Sequence, residues 1–178
     1  MWIGAIMESM SPSTTLMPVD EYLRTSYKPA CEYRDGVLTQ KAMPTYEHSQ
    51  VQFQVNFLIR IHFTQFKAGP EQTVRLSERR YLIPDVAVQR KDRIQDPYPT
   101  DPILLCVEIL SPTDRLSEVI AKCEEYLAWG VPMVWIIDPV SQAAWEFSPN
   151  RPLHEVSLDG SLTAAEIAIP LAEIFSVL

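Results

Sequence analysis

The chain has 178 residues, of which 47% are hydrophobic and 21% are charged, and this suits one domain with a single core. Its formal net charge of −8 argues against a protein that coats nucleic acid, because non-specific binding depends on Lys and Arg neutralising phosphates. The charge does not exclude a nuclease, since carboxylates hold the metal of such a site and the metal offsets part of their charge.

Three cysteines, Cys31, Cys106 and Cys123, show no paired spacing, which argues against a zinc site. Cys106 and Cys123 fall in apolar patterns and are predicted to be core residues. No segment is long enough to span a bilayer and none has the pattern of a secretory signal. The sequence therefore predicts a cytoplasmic protein that does not enter a membrane.

The first part of the chain is predicted to contain a leader, a short helix and a hairpin. Residues 1–17 are expected to be a disordered leader, and residues 18–178 a single domain. Pro18 fits the first position of a short helix that reaches Leu23. Residues 31–38 are predicted to form a hairpin that turns at Asp35-Gly36.

A long helix is predicted from a cap at Thr45 to about Lys67, with Gly69 just beyond its end. Apolar side chains spread around most of its circumference, which indicates packing on most sides, including contact with a partner subunit. The remaining pattern predicts strands at 72–77, 81–89 and 103–110, a helix from about Thr113 to Trp129 closed by Gly130, strands at 133–138 and 143–147, short strands, and a helical turn near 171–175. These elements predict an α/β domain around a central mixed sheet.

Glu108 lies near the end of the run Ile103–Leu110, and all the remaining residues of this run are apolar. Such a run is typical of a strand covered on both faces. A buried carboxylate must be paired, protonated or bound to a metal. Glu108 is therefore a candidate metal ligand, and a structural ion pair is the alternative.

Asp85 follows Pro84 in the run Tyr81–Val88. Proline within a strand pattern indicates an edge, a bulge or a strand start, and bulges often lie beside active sites. Simple turn chemistry is the alternative. Asp85 is a candidate because a second acidic residue, Glu108, lies on a later strand.

Lys122 lies beside the apolar stripe of the second long helix. The stripe consists of Leu116, Val119, Ile120, Cys123 and Leu127. A lysine at this border can place its stem on the core and extend its ammonium toward the sheet. The alternative is a surface pair with Glu118, one turn earlier. Two strand carboxylates and one ammonium suit Mg²⁺ and a phosphate substrate.

The sequence Pro84-Asp85 followed by Glu108-Ile109-Leu110 resembles the PD-(D/E)XK nuclease signature, with Leu110 in place of its lysine. More narrowly, the chain resembles the Uma-type restriction endonuclease family common in cyanobacteria. The matching residues are Glu32-Tyr33-Arg34-Asp35-Gly36, His48, Pro84-Asp85-Val86-Ala87-Val88, Val107-Glu108-Ile109-Leu110-Ser111-Pro112, Lys122, Tyr126, Gly130-Val131-Pro132, Trp135 and Asp138-Pro139.

The resemblance implies a restriction-endonuclease-like fold, with a central mixed β-sheet flanked by helices. It implies that Asp85 and Glu108 bind Mg²⁺ or Mn²⁺, with the Ile109 carbonyl as a third ligand. Lys122 would replace the missing strand lysine and position or activate the water. DNA is the implied substrate, and cutting both strands of a duplex would suit a homodimer.

Glu32, His48 and Glu118 are secondary candidates. Glu32 would add a carboxylate from the hairpin, and Glu118 stands where the family often has aspartate. His48 would contact phosphate or transfer a proton, with capping or packing as the alternative. Two other functions stay open: a non-catalytic binding or assembly module of the same fold, and a hydrolase of another phosphoester.

Overall fold

The computed structural model describes residues 16–178. Within them lie four α-helices, α1 (Val19–Arg24), α2 (Tyr46–His62), α3 (Leu116–Trp129) and α4 (Leu171–Ile174). The strands are β1 (Cys31–Arg34), β2 (Val37–Gln40), β3 (Phe66–Pro70), β4 (Val74–Ser77), β5 (Arg80–Leu82), β6 (Val86–Arg90), β7 (Leu105–Ile109), β8 (Met133–Asp138), β9 (Ala143–Ser148), β10 (Arg151–Val156), β11 (Ser161–Ala164) and β12 (Ile167–Pro170).

The central sheet of the described residues has six strands in the order β10-β9-β8-β7-β6-β3. The β7–β8 pair is parallel and its other pairs are antiparallel, so the predicted mixed sheet flanked by helices is confirmed. The parallel pair arises because α3 connects β7 to β8 as a crossover. A four-stranded sheet, β2-β1-β5-β4, and the β11–β12 hairpin complete the described fold.

The two faces of the central sheet bury different sets of side chains. Val86, Val107 and Ile137 face α2 and the C-terminal elements in one core cluster. Cys106 and Cys123 lie in the second cluster, where α3 packs, and both are fully buried as predicted. Because side chains alternate along β7, Glu108 points to the same face as Cys106, toward α3.

The predicted hairpin is present as β1 and β2. Asp35 and Gly36 both have positive φ, 52° and 96°, as a type I′ turn requires. Of the predicted leader, residues 1–15 lie outside the described residues. Met17, at its end, donates its N–H to the Gly36 carbonyl at 2.8 Å. Pro18 is the N-cap of α1, one position before the predicted one.

The long helix begins where predicted and ends earlier. Thr45 caps α2 by accepting a hydrogen bond from the His48 N–H. The predicted end near Lys67 is wrong, because α2 ends at His62 and Phe66 to Pro70 form β3 beside β6. Phe66 and Ala68 point into the core at a spacing of two, which belongs to a strand and not to a helix.

Residues 81–89, predicted as one strand, form two strands in different sheets. β5 belongs to the four-stranded sheet and β6 to the central sheet, and Ile83, Pro84 and Asp85 cross between them. Proline supplies no ladder N–H, so the chain can leave one sheet at this point and enter the other. Asp85 therefore lies at the junction of the two sheets.

The helix predicted at 113–129 begins later, and it buries the predicted stripe except at its first residue. It starts at Leu116, whose side chain remains exposed, and Gly130 closes it with a φ of 113°. The predicted stripe is wrong at Leu116, while Cys123 and Tyr126 are completely buried. Lys122 lies beside this buried face, as predicted, and its side chain is 12% exposed. Across residues 16–178, no helix is long and apolar enough to cross a membrane.

Candidate metal centre

The Asp85 carboxylate is buried and receives three polar contacts from different parts of the fold. Its Oδ2 accepts a hydrogen bond from the backbone N–H of Ile109 at 2.7 Å and lies 3.3 Å from the His48 Nε2. Its Oδ1 accepts from the Lys41 ammonium at 2.8 Å. The first contact joins the sheet junction to the end of β7, which is how Asp85 comes close to the strand that carries Glu108.

The Glu108 carboxylate is buried beneath α3. Its Oε1 accepts from the Tyr126 hydroxyl at 2.9 Å, and its Oε2 accepts from the Lys122 ammonium at 2.9 Å. The ion pair considered as an alternative is therefore present. It does not exclude metal binding, because Glu108 also lines the same groove as Asp85.

Lys122 connects the hairpin, the sheet junction and β7. Its ammonium lies 2.6 Å from Glu32 Oε1 and 2.9 Å from Glu108 Oε2, and it donates to the Ile83 carbonyl at 3.1 Å. The surface pair with Glu118 is therefore wrong. The Glu118 side chain is 70% exposed and lies 3.7 Å from Arg115.

The environment shifts the two central carboxyl groups in opposite directions. Burial raises the pKa of Glu108 to about 7, although the Lys122 charge opposes the shift. Burial would also raise the pKa of Asp85, but the His48 hydrogen bond and the Lys41 charge hold it well below its usual range. One carboxyl is therefore ionised throughout the neutral range while the other exchanges a proton within it.

The two lysines remain charged despite their burial. Burial lowers the pKa of an ammonium group, but Glu108 and Glu32 together raise the pKa of Lys122. In the same way, Asp85 outweighs burial and raises the pKa of Lys41.

Glu32 is one of the predicted secondary candidates, and it lies inside this network. Besides its contact with Lys122, its Oε1 accepts from the Ile83 N–H at 2.9 Å and its Oε2 from Arg34 at 2.9 Å. Burial would raise its pKa, but Lys122 and Arg34 lower it. Glu32 thus holds Lys122 and the sheet junction in place.

His48 is buried and lies against Asp85. Its backbone N–H is capped by Thr45, while its side chain takes no part in capping. Among residues 16–178, the Nδ1 atom has no hydrogen-bond partner. The imidazole therefore has one nitrogen beside Asp85 and one polar atom left for a ligand or a water.

Three participants were not predicted as site residues. Lys41 directly follows β2 and reaches Asp85, and Glu71 follows β3 and accepts from Lys41 at 3.0 Å. Tyr126 is the third, because the family resemblance matches this residue without assigning it a role. A fully buried tyrosine hydroxyl needs a partner, so its place on the inner face of α3 was a usable signal. Nothing in the local sequence around Lys41 indicates its role.

These side chains surround an open groove of about 740 Å³ between the β1–β2 hairpin, the start of α2 and α3. Seven carboxylates line the groove, against four basic side chains. The acidic ones are Glu32, Glu71, Asp85, Glu108, Asp114, Glu118 and Glu125, and the basic ones are Arg34, Lys41, Arg115 and Lys122. An acidic groove suits a cation better than it suits the bare backbone of a nucleic acid.

The donor chemistry fits Mg²⁺ or Mn²⁺. Asp85 and Glu108 offer hard oxygen ligands in one groove, and Ile109 also lines it. Within the described part of the chain, no three His, Cys, Asp or Glu side chains already converge as a metal-binding group. The site residues therefore supply two carboxylates, and the backbone carbonyl of Ile109 and water would complete the shell, as Mg²⁺ usually requires.

Comparison with known proteins identifies the family and the fold. No curated protein matches the chain significantly. A crystal structure from Anabaena variabilis, described as a putative nuclease, is 24% identical in sequence. It superposes with a TM-score of 0.75 over 89% of this chain and 97% of that one, which confirms the fold. The model of the Uma2 family, described as "Putative restriction endonuclease", matches residues 19–174. The resemblance inferred from the sequence is thereby confirmed, and this chain belongs to the Uma2 family.

Proposed function

We propose that this protein is a metal-dependent endonuclease that hydrolyses phosphodiester bonds in DNA. The observation that carries the proposal is the Lys122 ammonium, 2.9 Å from Glu108, in a groove that Asp85 also lines. α3 supplies the lysine that the strand signature lacks at Leu110. Family membership supports the nuclease class, and DNA as the substrate follows from the family's description.

In this proposal Asp85, Glu108 and the Ile109 carbonyl hold the cation. When bound, Mg²⁺ or Mn²⁺ supplies Lewis-acid stabilisation of the phosphate and a more acidic water. The three N–H groups of Lys122 already face Glu32, Glu108 and the Ile83 carbonyl, so in this proposal Lys122 holds Glu108 in place and supplies a positive charge beside the cation and the phosphate. His48 lies 3.3 Å from Asp85 Oδ2 and orients that carboxylate.

Plasmid cleavage with Mg²⁺ or Mn²⁺ tests the proposal. We expect nicking by the native chain, none with EDTA, and losses of at least 100-fold in Glu108→Gln and Lys122→Met, because removing such a group costs on the order of several kcal/mol. Glu124→Ala, an exposed site on the same helix, is the matched control. Absence of cleavage by folded native protein, across supercoiled, linear and single-stranded DNA, would contradict the proposal.

A non-catalytic binding module of the same fold is the second candidate. The excess of carboxylates in the groove favours it, and so does the net charge of −8. The oxygens of Asp85 and Glu108 are already bonded to protein groups, as an ion-pair network requires. Metal titration separates the two functions, because a cation should not increase the stability of a binding module that its own ion pairs already stabilise.

We also propose a homodimer formed through the outer face of α2. The exposed fractions there are 70% for Tyr46, 64% for Phe53, 45% for Phe57 and 46% for Ile61, and the two phenylalanine rings stack 6.0 Å apart. These residues repeat at intervals of seven, four and four, which makes one helical stripe.

A second copy of the chain is the occupant that this stripe fits. Arg60 is exposed beside the stripe and gives this face a positive charge in a chain whose net charge is −8. An antiparallel, two-fold contact centred on Phe53 places Arg60 opposite Tyr46 of the other copy, as a cation–π pair requires.

Light scattering behind size exclusion tests the dimer. We expect a dimer for the native chain and a monomer for Phe53→Lys. Val140→Lys is the control, since Val140 is 72% exposed outside α2. A native monomer at about 100 µM, or a dimer that survives Phe53→Lys, would contradict the proposed face. We place the protein in the cytoplasm on sequence grounds alone.

A further inference from the structure

Lys41 occupies one of the two carboxylate oxygens of Asp85. Its side chain is 14% exposed, and its ammonium donates to Asp85 Oδ1 at 2.8 Å and to the Ile83 carbonyl at 3.0 Å. The other carboxylate oxygen, Oδ2, is taken by the Ile109 N–H and faces His48. Within residues 16–178, Oδ1 has Lys41 as its hydrogen-bond donor, so a cation that binds Asp85 through Oδ1 must take the place of this ammonium.

Lys41 has a second carboxylate to which it can move. It already contacts both oxygens of Glu71, at 3.1 and 3.0 Å, and Glu71 is 43% exposed at the edge of the groove. Gln52 donates to Glu71 Oε1 at 3.1 Å and holds that carboxylate toward the site. Lys41 can therefore leave Asp85 without becoming an unpaired buried charge, which a folded protein strongly disfavours.

Lys122 lacks such freedom. Two buried carboxylates, Glu32 and Glu108, hold its ammonium at 2.6 and 2.9 Å, and both belong to the interior of the network. The two lysines therefore differ. Lys122 is enclosed by two buried carboxylates, whereas Lys41 is shared between buried Asp85 and exposed Glu71.

We propose that Lys41 is a positioning residue that competes with the divalent cation for Asp85 Oδ1, and that it transfers to Glu71 when the cation binds. The proposal rests on the proposed metal site at Asp85. In this proposal the cation affinity depends on how strongly Asp85 and Glu71 each bind the Lys41 ammonium. Asp85 stays paired in the metal-free protein and becomes available when the cation arrives.

The test is Mn²⁺ affinity, measured by calorimetry and by the electron paramagnetic resonance of free Mn²⁺, in a double-mutant cycle. Lys41→Met should tighten binding by about tenfold or more, because the competing ammonium is gone. Glu71→Gln should weaken binding several-fold, because Lys41 then has Asp85 as its main partner. The double variant should match Lys41→Met, since Glu71 acts only through Lys41. Lys41→Gln serves as a second substitution if Lys41→Met unfolds.

The outcomes separate this inference from the metal site itself. Native binding that is lost in Asp85→Asn, with unchanged or weaker affinity in Lys41→Met, overturns the role of Lys41 and leaves the metal site standing. An equal effect of Glu71→Gln with and without Lys41 also overturns it. Binding that appears only in Lys41→Met supports it. Binding that is equal in native protein and Asp85→Asn, or absent from every variant, overturns both proposals.

Discussion

Lys41 and Lys122 donate to the same acceptor, the backbone carbonyl oxygen of Ile83, at 3.0 and 3.1 Å. Two ammonium groups so close together repel, and the repulsion is offset because each also faces a buried carboxylate. Ile83 lies where the chain crosses from the four-stranded sheet to the central sheet. The junction therefore joins the Asp85 and Glu108 halves of the site into one network of charges.

Lys122→Met should destabilise the protein strongly. The substitution leaves Glu32 and Glu108 buried without their shared cation, and loss of one partner of a buried pair costs about 3–5 kcal/mol. Urea unfolding followed by circular dichroism measures the loss, with Glu124→Ala as the exposed control. Adding Glu108→Gln should recover part of the stability. A change below about 1 kcal/mol in Lys122→Met would show that water screens the network.

Asp85→Asn should flatten the acid limb of the stability curve. The folded-state pKa of Asp85 lies below its unfolded value, so its ionisation stabilises the fold above the unfolded pKa, and this contribution is lost as the pH falls through the folded pKa. Without the Asp85 carboxylate, the free energy of unfolding should depend less steeply on pH below about pH 4. The slope should fall by at most about 1.4 kcal/mol per pH unit.

Urea midpoints between pH 2.5 and pH 7 give this slope. Asp159→Asn, at an exposed position, should leave it unchanged. An Asp85→Asn curve parallel to the native curve would mean that the carboxylate gains nothing from its partners in the fold.

The sequence predicts some residues of this site and misses others. Asp85 and Glu108 were singled out by local conflict, a proline or a charge in an apolar pattern, and such conflicts are visible without coordinates. Lys122 was singled out by its place beside the apolar stripe of α3 and by the family resemblance. The end of α2 was placed too late because Phe63 and Phe66 continue the apolar pattern into β3. Periodicity alone does not mark the point where a helical repeat becomes a strand repeat.

Lys41 and Glu71 were missed for a different reason. Their contacts join chain segments 30 and 44 residues apart, and neither residue sits in an unfavourable local pattern. The exposure of Leu116 was also missed, because a periodicity count treats every apolar residue at the right spacing as part of the stripe. The structure buries Tyr126 because its hydroxyl meets Glu108. Tertiary pairing decided these positions, and pairing leaves no trace in local composition.

Tyr126→Phe should raise the pKa of Glu108 and cost modest stability. The hydroxyl donates to Glu108 at 2.9 Å, and a donor favours the ionised carboxylate. We expect a loss of about 1–2 kcal/mol, because a buried acceptor loses one partner. Unfolding in urea measures the stability, and the pH midpoint of Mn²⁺ binding reports the pKa. A midpoint that moves downward would contradict the assigned role, and Tyr98→Phe, in a separate loop, should not move it.

Cation affinity should rise with pH through neutrality because of Glu108. Burial raises the pKa of this carboxyl to about 7, and only its ionised form binds a divalent cation well. Asp85 is ionised throughout this range and adds no pH dependence. The ionised fraction of a group with this pKa rises about tenfold between pH 6 and pH 8, so the Mn²⁺ dissociation constant should fall by the same factor.

Calorimetry in two buffers of different ionisation enthalpy should show about half a proton released per cation at pH 7. In Glu108→Gln both the proton release and the rise should vanish, and equal native affinities at pH 6 and pH 8 would show that Glu108 is not a ligand.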